Sequence, residues 1–541
     1  MADLVFRGAT IIDGTGADRF RADVTVTDGV IAAVDSEPGR PPAARTTAAR
    51  TIDADGLVLA PGFIDMHAHS DLRTLVERDH PSRVTQGVTC EVLGQDGLSY
   101  APVDDTTLPA LRRQIAGWNG DPDGFDWSWR TVGEYLDRLD QGIAVNACYL
   151  VPHGSVRMLA MGWDNREPDR AELNRMRELV AQGMREGAVG MSSGLSYTPG
   201  MYAGTDELIE LCEVVAAFGG YHSPHQRSYG AGALGGYAEM IEISRRSGCP
   251  LHLAHATMNF GVNAGRAAEL LELVDAGLAE GCDISLDTYP YLPGSTTLAA
   301  LLPSWSAEGG PDATLARLAD PASRERIRRD VEDRGSDGNH GMVVDWQTIQ
   351  ISGVQDPSLA DAVGRTVAEI AAARAVTGTE AFVDLLRTDR LGTTILHHVG
   401  NEENVRAIMR HRAHTVGSDG LLVGARPHPR AWGTFPRYLG HYSRDLKVLT
   451  LEETVARMTG RPARRLRLDR RGLVRVGHHA DLVLFDPRTV TDTATFEQPR
   501  QAADGIVEVL VNGVSVLTDG TPTGALPGRA LRRTEQGVSA L

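Results

Sequence analysis

Residues 61–71 read PGFIDMHAHSD, an apolar run that ends in His67-Ala68-His69. In an extended strand, side chains two apart project to the same face, so His67 and His69 aim together at one point beyond the strand end. Two imidazoles converging on a point suit a metal ion. The motif alone is weak, because 17 histidines in 541 residues give roughly half a His-x-His by chance, the false-positive risk of any short motif. The surrounding chain has to decide it.

Outward from this stretch, apolar runs with the same character recur: GFIDMHAH, GVTCEVLG, NACYLVPHG, AVGMSSG, YHSPHQ, LHLAHA, DISLDTYPY and HTVGSDG. Helical patterns such as DRAELNRMRELVAQGMREG and GRAAELLELVDAGLAEG lie between them. Strand then helix, repeated, implies parallel strands, and eight is the strand count of a (β/α)8 TIM barrel, whose chemistry gathers at the C-terminal strand ends. The gap from Tyr291 to about His414 exceeds one crossover helix, and its front part, PSWSAEGGPDATLARLADPAS, is loop-rich. An inserted lid subdomain over about 292–350 is the expectation there. At both ends short β-rich runs are broken by Gly and Asp, so residues 1–60 and 471–541 are expected to pair into one small β-domain around a barrel over 61–470. The fold class is therefore α/β.

With 42% hydrophobic and 23% charged residues the composition is that of a globular chain with a packed core. The 54 basic and 71 acidic residues leave a formal charge of −17, which excludes nucleic acid as a natural partner. Five scattered cysteines without a C-x-x-C pair suit reduced thiols rather than a disulfide framework. The N-terminus has neither a basic n-region nor a long apolar run, so the reading is a cytoplasmic protein with no membrane partner.

On that barrel His67 and His69 stand at the first strand end, His225 at the fifth, His255 at the sixth and Asp419 at the eighth. Imidazole and carboxylate suit a divalent, zinc-like ion in a site that keeps one position for water. Such an ion brings bound water toward a neutral pKa and polarises a carbonyl, which favours hydrolysis. Asp419 would then take the water's proton and return it to the leaving nitrogen, although GSDG is also ordinary turn chemistry.

PGFIDMHAHSD, SSGLSYTPG, DTYPYLPGSTTL, VGSDG with RPHPRAWGTFPRYLG, and RMTGRPARRLRLDRRGLVRVGHHADLVLFDP together resemble the amidohydrolase superfamily and, within it, the N-acyl-D-amino-acid deacylases. The resemblance runs over nearly the whole chain. It implies a zinc-dependent barrel, holding one or two ions, that cleaves the linear amide bond of a small N-acyl-D-amino acid. By position, it implies that His67 and His69 form one metal pair, His225 and His255 a second, and that Asp419 is the catalytic aspartate and can also ligate. It implies that Arg430 grips the substrate carboxylate and that Tyr197, Tyr289 and Ser295 line the pocket near it. A planar guanidinium suits that task because its fork pairs bidentately with a carboxylate.

Two positions depart from the family pattern. Where many members have a cysteine in a GNCG turn after the second strand, this chain has GQDG, which makes Asp96 the expected bridging or first-site ligand, a harder donor than thiolate. The lysine often found two residues after the sixth-strand histidine is Thr257. No lysine occurs in AVGMSSG to serve as a carbamylated bridge, which counts against the related cyclic-amide hydrolases of hydantoinase or dihydroorotase type. The same residues would also serve a dipeptidase acting on L-Xaa-D-Xaa substrates. A non-catalytic barrel scaffold would have lost its metal ligands, and the four histidines and Asp419 kept here weigh against it. The homo-oligomeric state is left open.

Overall fold

The computed structural model describes residues 2–36, 48–534 and 537–540. Eight parallel strands run in sequential neighbour order: β1 (Phe63–Asp65), β2 (Val88–Leu93), β3 (Asn146–Pro152), β4 (Gly190–Gly194), β5 (Tyr221–His225), β6 (Leu251–Leu253), β7 (Ile284–Thr288) and β8 (His414–Val416). The ring closes where the Met66 N–H donates to the Val416 carbonyl at 3.2 Å and Ala68 bridges Gly420 in parallel. All eight expected strands are present. They are buried on both faces, the continuous apolar pattern of a sheet wrapped by helices.

The helices follow their local signals. Arg170–Arg185 begins at a capping box in which Asp169 accepts from the Glu172 N–H at 2.9 Å and Glu172 accepts from the Asp169 N–H at 2.8 Å. Its apolar residues Met176, Leu179, Val180 and Met184 fall on one face and are buried against the barrel.

The two chain ends meet in one nine-stranded sheet, joined where Val58–Pro61 pairs antiparallel with Leu482–Phe485. Its own core packs Phe6, Ile11 and Val24 against Leu482, Leu484 and Leu510. The hairpin from Phe20–Thr27 to Val30–Asp35 turns at Asp28 and Gly29, both with positive φ (50° and 73°), the twist that suits a two-residue hairpin. The last residues leave this sheet. Leu531 and Val538 are buried beneath the barrel beside Ile64, Met66 and Val92, and the Leu531 N–H donates to Ala147 O at 2.8 Å.

The insert is larger than the 292–350 expected. Gly294–Thr297 and Ile349–Gly353 both pair antiparallel with Thr394–His397, so the unit is completed only when the chain returns through His397. The loop-rich signal marks its front half, whereas the strand that closes it is far away in sequence. Its core packs Leu298 and Leu301 against Phe382, Leu386 and Ile395. Among the described residues no helix is long and apolar enough to cross a membrane.

Candidate active site

Alternation along the first strand sets the site: Asp65, His67 and His69 lie two apart and project alike. His67 Nε2 and His69 Nε2 come within 3.2 Å of each other. Across the barrel, His225 Nδ1 from the end of β5 and His255 Nε2 just beyond β6 are 3.0 Å apart. Asp96 lies between the two pairs, one carboxylate oxygen 3.5 Å from His67 Nε2 and 3.4 Å from His255 Nε2, the other 3.5 Å from His69 Nε2 and 3.3 Å from His225 Nδ1. Asp419 reaches His69 Nε2 at 3.2 Å from the eighth strand. Two groups that could hold a metal ion result, His67–His69–Asp96–Asp419 and Asp96–His225–His255, with Asp96 common to both.

The local backbone is built for this convergence. Asp96, His255 and Asp419 adopt positive φ (55°, 31° and 48°), a conformation costly for side-chain-bearing residues and concentrated at functional sites. The turn that carries Asp96 is pinned by Asp71, which accepts from the Gly94 N–H at 2.8 Å and the Ser99 hydroxyl at 2.6 Å. Gly97 in that turn (φ 71°) lies so close to β4 that a Cβ would meet the Gly194 nitrogen at 2.6 Å, which explains the glycine of GQDG.

Supporting groups that sequence reasoning missed orient these side chains. Asp287 on β7 accepts from the His255 N–H at 3.0 Å, pairs with His252 Nε2 at 2.9 Å and lies 3.8 Å from His67 Nδ1. The Tyr229 hydroxyl meets His255 Nδ1 at 3.0 Å and the Ser196 hydroxyl meets His225 Nε2 at 2.6 Å. Asp65 accepts from the Ser418 N–H at 2.8 Å and its hydroxyl at 2.5 Å, tying β1 to the turn of Asp419. The strand spacing of Asp65 with His67 and His69 was a readable signal; Tyr229 and Ser196 lie in loops without one.

The donors fit a divalent ion. Imidazole nitrogens face one another and two carboxylates at separations that a cation between them would satisfy, and Asp96 Oδ1 is buried without a hydrogen-bond partner among the described residues. Burial works against the charged form of Asp96, yet His255, His225 and His67 hold its carboxyl well below the usual range. For Asp419 burial is likewise outweighed, chiefly by the Arg430 guanidinium and His69. Both carboxylates are therefore ionised.

Arg430 is fully buried, with Nη2 2.9 Å from Asp419 and donating to the Ser295 carbonyl at 3.3 Å. Its guanidinium lies 4.4 Å over the Tyr289 ring, while Nε and Nη1 have no partner among the described residues. Tyr197 packs on His225 (ring centroids 4.7 Å) and on Trp118 (5.0 Å), and its hydroxyl bonds Thr296 at 2.9 Å. The cleft over these side chains is also lined by Tyr289, Ser295, Phe260, His340 and His397. A second cleft, with Leu98, Ile115, Trp163 and Met201 on its walls, adjoins it across Trp118 and Tyr197. Thr257, in the position of the family lysine, lines the first cleft as a neutral residue.

Known proteins share this fold. A model of the amidohydrolase family matches residues 50–517. The D-aminoacylase of Alcaligenes xylosoxydans xylosoxydans is 35% identical over 534 residues, covering 98% of both chains. The N-acyl-D-glutamate deacylase of the same organism is 36% identical over 532 residues, covering 98% of this chain and 96% of its own. The crystal structure of N-acyl-D-glutamate deacylase from Bordetella bronchiseptica, complexed with zinc and a phosphonate inhibitor that mimics the tetrahedral intermediate, superposes with a TM-score of 0.83 at 34% identity, covering 98% of this chain and 100% of that one. The chain therefore belongs to the amidohydrolase family, in its N-acyl-D-amino-acid deacylase branch.

Proposed function

We propose that this protein hydrolyses the amide bond of N-acyl-D-amino acids, releasing a carboxylate and the free D-amino acid, with one or two zinc ions held by His67, His69, Asp96, His225, His255 and Asp419. The observation that carries the reading is the buried Arg430 guanidinium, 2.9 Å from Asp419 and with two nitrogens unpartnered among the described residues, facing the ligand groups from the side of Tyr289 and Ser295. A buried cation with free donors calls for an anion, and the α-carboxylate of an N-acyl amino acid puts its amide nitrogen one carbon from the anchor. The D configuration rests on the relatives' activities.

A zinc ion held there would supply a water made acidic near neutral pH and would polarise the scissile carbonyl. The chain's own groups do the rest. Asp419, kept ionised by Arg430, takes the proton as the water oxygen bonds to the carbonyl carbon. It hands that proton to the nitrogen as the C–N bond breaks. Arg430 holds the α-carboxylate while Ser295 and Tyr289 hold Arg430. Trp118, Tyr197 and Tyr229 wall the site and limit water.

The lining also bears on the substrate side chain. Apart from Arg430, assigned here to the α-carboxylate, the described residues lining the two clefts include no lysine or arginine. Burial pushes His340 down to about 3 and His397 down to about 4, so both rings are neutral at pH 7. A glutamate or aspartate side chain would be desolvated there without a partner, a cost of several kcal/mol, and the net charge of −17 repels a dianion. Neutral side chains fit. On a panel of N-acetyl amino acids, kcat/KM is expected to favour D-methionine, D-leucine and D-phenylalanine over both their L-isomers and the D-dicarboxylic substrates by about 100-fold, the scale of an unpartnered buried group. Equal turnover of N-acetyl-D-glutamate would remove the side-chain assignment. Preference for L-isomers would remove the D assignment.

A further inference from the structure

At the opposite end of the barrel, the beginnings of β5 to β8 open onto a cavity of about 360 Å³ that none of the chemistry above uses. Five arginines face it, Arg412, Arg461, Arg464, Arg465 and Arg467, against one lining carboxylate, Asp283. Asp283 is taken by Arg465 at 2.7 Å, and Arg412 pairs with Asp275 at 2.6 Å. Among the described residues Arg461, Arg464 and Arg467 have no carboxylate within salt-bridge distance; Arg461 donates only to the carbonyls of Arg412 and His414, at 2.9 and 3.5 Å.

Three arginines without an ion-pair partner among the described residues, gathered in one concavity, are unusual in a chain of net charge −17. Arg461 is half-buried while Arg464 and Arg467 are exposed, and a multivalent anion would offset the repulsion among the three. A second observation points to a ligand. Tyr221 is 1% exposed, lines the same cavity, and its hydroxyl has no hydrogen-bond partner among the described residues, a state that buried hydroxyls seldom keep. Planar guanidinium forks with a neutral O–H donor match the oxygens of a phosphate group.

The cavity is also joined to the catalytic end. Arg465 Nε donates to the Ser285 hydroxyl at 2.7 Å, Ser285 meets His252 Nδ1 at 2.7 Å, and His252 Nε2 meets Asp287 at 2.9 Å, the carboxylate that braces His255 and His67. An occupant would sit at the end of a buried hydrogen-bonded path to the ligands.

We propose that this floor cavity is a binding site for a doubly charged oxyanion of the phosphate type, held by Arg461, Arg464 and Arg467 with the Tyr221 hydroxyl. The test is calorimetric titration of the metal-loaded protein with inorganic phosphate, and separately with phenyl phosphate, at constant ionic strength, with acetate as control. The expected result is one phosphate-type anion bound per chain at the floor, weakened at least tenfold in Arg464→Glu/Arg467→Glu and several-fold in Tyr221→Phe, with acetate silent. Tighter binding of phenyl phosphate identifies a phosphomonoester as the ligand; equal binding identifies free phosphate. Both altered arginines are exposed, and a circular-dichroism melt verifies folding. Binding undiminished in the double variant would place the anion at the metal end and overturn the proposal, as would no binding at about 10 mM anion, well above the millimolar range of weak ligands.

Discussion

The two ends of this barrel use the same strands for opposite electrostatics. Tyr221 opens β5 at the floor and His225 closes it at the mouth, roughly 13 Å apart at strand rise. At the mouth, imidazoles and carboxylates converge within hydrogen-bond range, and the cation Arg430 is buried behind Asp419. At the floor, arginines crowd a cleft with Asp283 as the one lining acid among the described residues. The mouth groups sit on strand ends and on turns pinned by Asp71, Asp65 and Asp287, a rigid platform. Three of the floor groups sit on the helix Gly460–Leu466 and a fourth one residue past it at Arg467. The difference teaches that precise convergence comes from strand alternation and supported turns, whereas a charge field needs only proximity.

The sharpest way to break the comparison is Asp419→Asn, which keeps shape while removing the proton acceptor. Turnover is expected to fall by about 10³-fold, within the usual range for a general base, with floor anion binding unchanged in calorimetry. Activity near wild type would remove Asp419 from proton transfer. Next in size is Arg430→Ala, which removes the carboxylate anchor common to ground and transition states. kcat/KM is expected to drop about 100-fold, mostly through KM. A drop mostly in kcat with KM intact would instead make Arg430 a positioning group for Asp419.

A smaller effect concerns the support beneath the mouth. Glu91 is buried on β2, accepting from the Ser70 hydroxyl at 2.5 Å and Arg83 Nε at 3.0 Å and pairing with His80 at 3.1 Å. Burial alone would push its carboxyl up, but His80 and Arg83 outweigh it and bring it down to about 2 from 4.5. A depressed acid contributes stability that is present in full above pH 4.5 and is lost as pH falls toward 2. That contribution is about 3 kcal/mol. In Glu91→Gln the melting temperature at pH 7 is expected to drop and its acid dependence between pH 4.5 and 2 to flatten. An unchanged acid limb would show that other carboxylates set it.

Much of this was legible in the sequence because the barrel strands are short apolar runs, and the first, fifth and sixth carry histidines at or just past their ends (His67, His69, His225 and His255), so strands and inward-facing histidines were marked together. Asp96 was legible only through resemblance, since GQDG by itself reads as a turn. The extent of the insert was hidden because Thr394–His397 completes a sheet begun at Gly294, a pairing that local pattern does not encode. The C-terminal return under the barrel was hidden for a similar reason: of ALRRTEQGVSA, Ala530, Leu531, Arg532 and Val538 are buried, too few apolar residues to show a period. Asp287 passed unnoticed as one acid in an apolar strand, though its two-residue spacing from Ser285 and Tyr289 marked the inward face. The arginine cluster was visible as RPARRLRLDRR, but its concavity depends on Tyr221 and Asp283 from elsewhere in the chain.

The central claim is that His67, His69, Asp96, His225, His255 and Asp419 form a metal centre that drives amide hydrolysis. Elemental analysis of the purified protein, with N-acetyl-D-methionine hydrolysis followed through chelation and zinc restoration, tests it most directly. The account predicts one to two zinc ions per chain, loss of activity on chelation and its return with zinc. A metal-free protein with full activity, or bound zinc whose removal leaves hydrolysis unchanged, would contradict it.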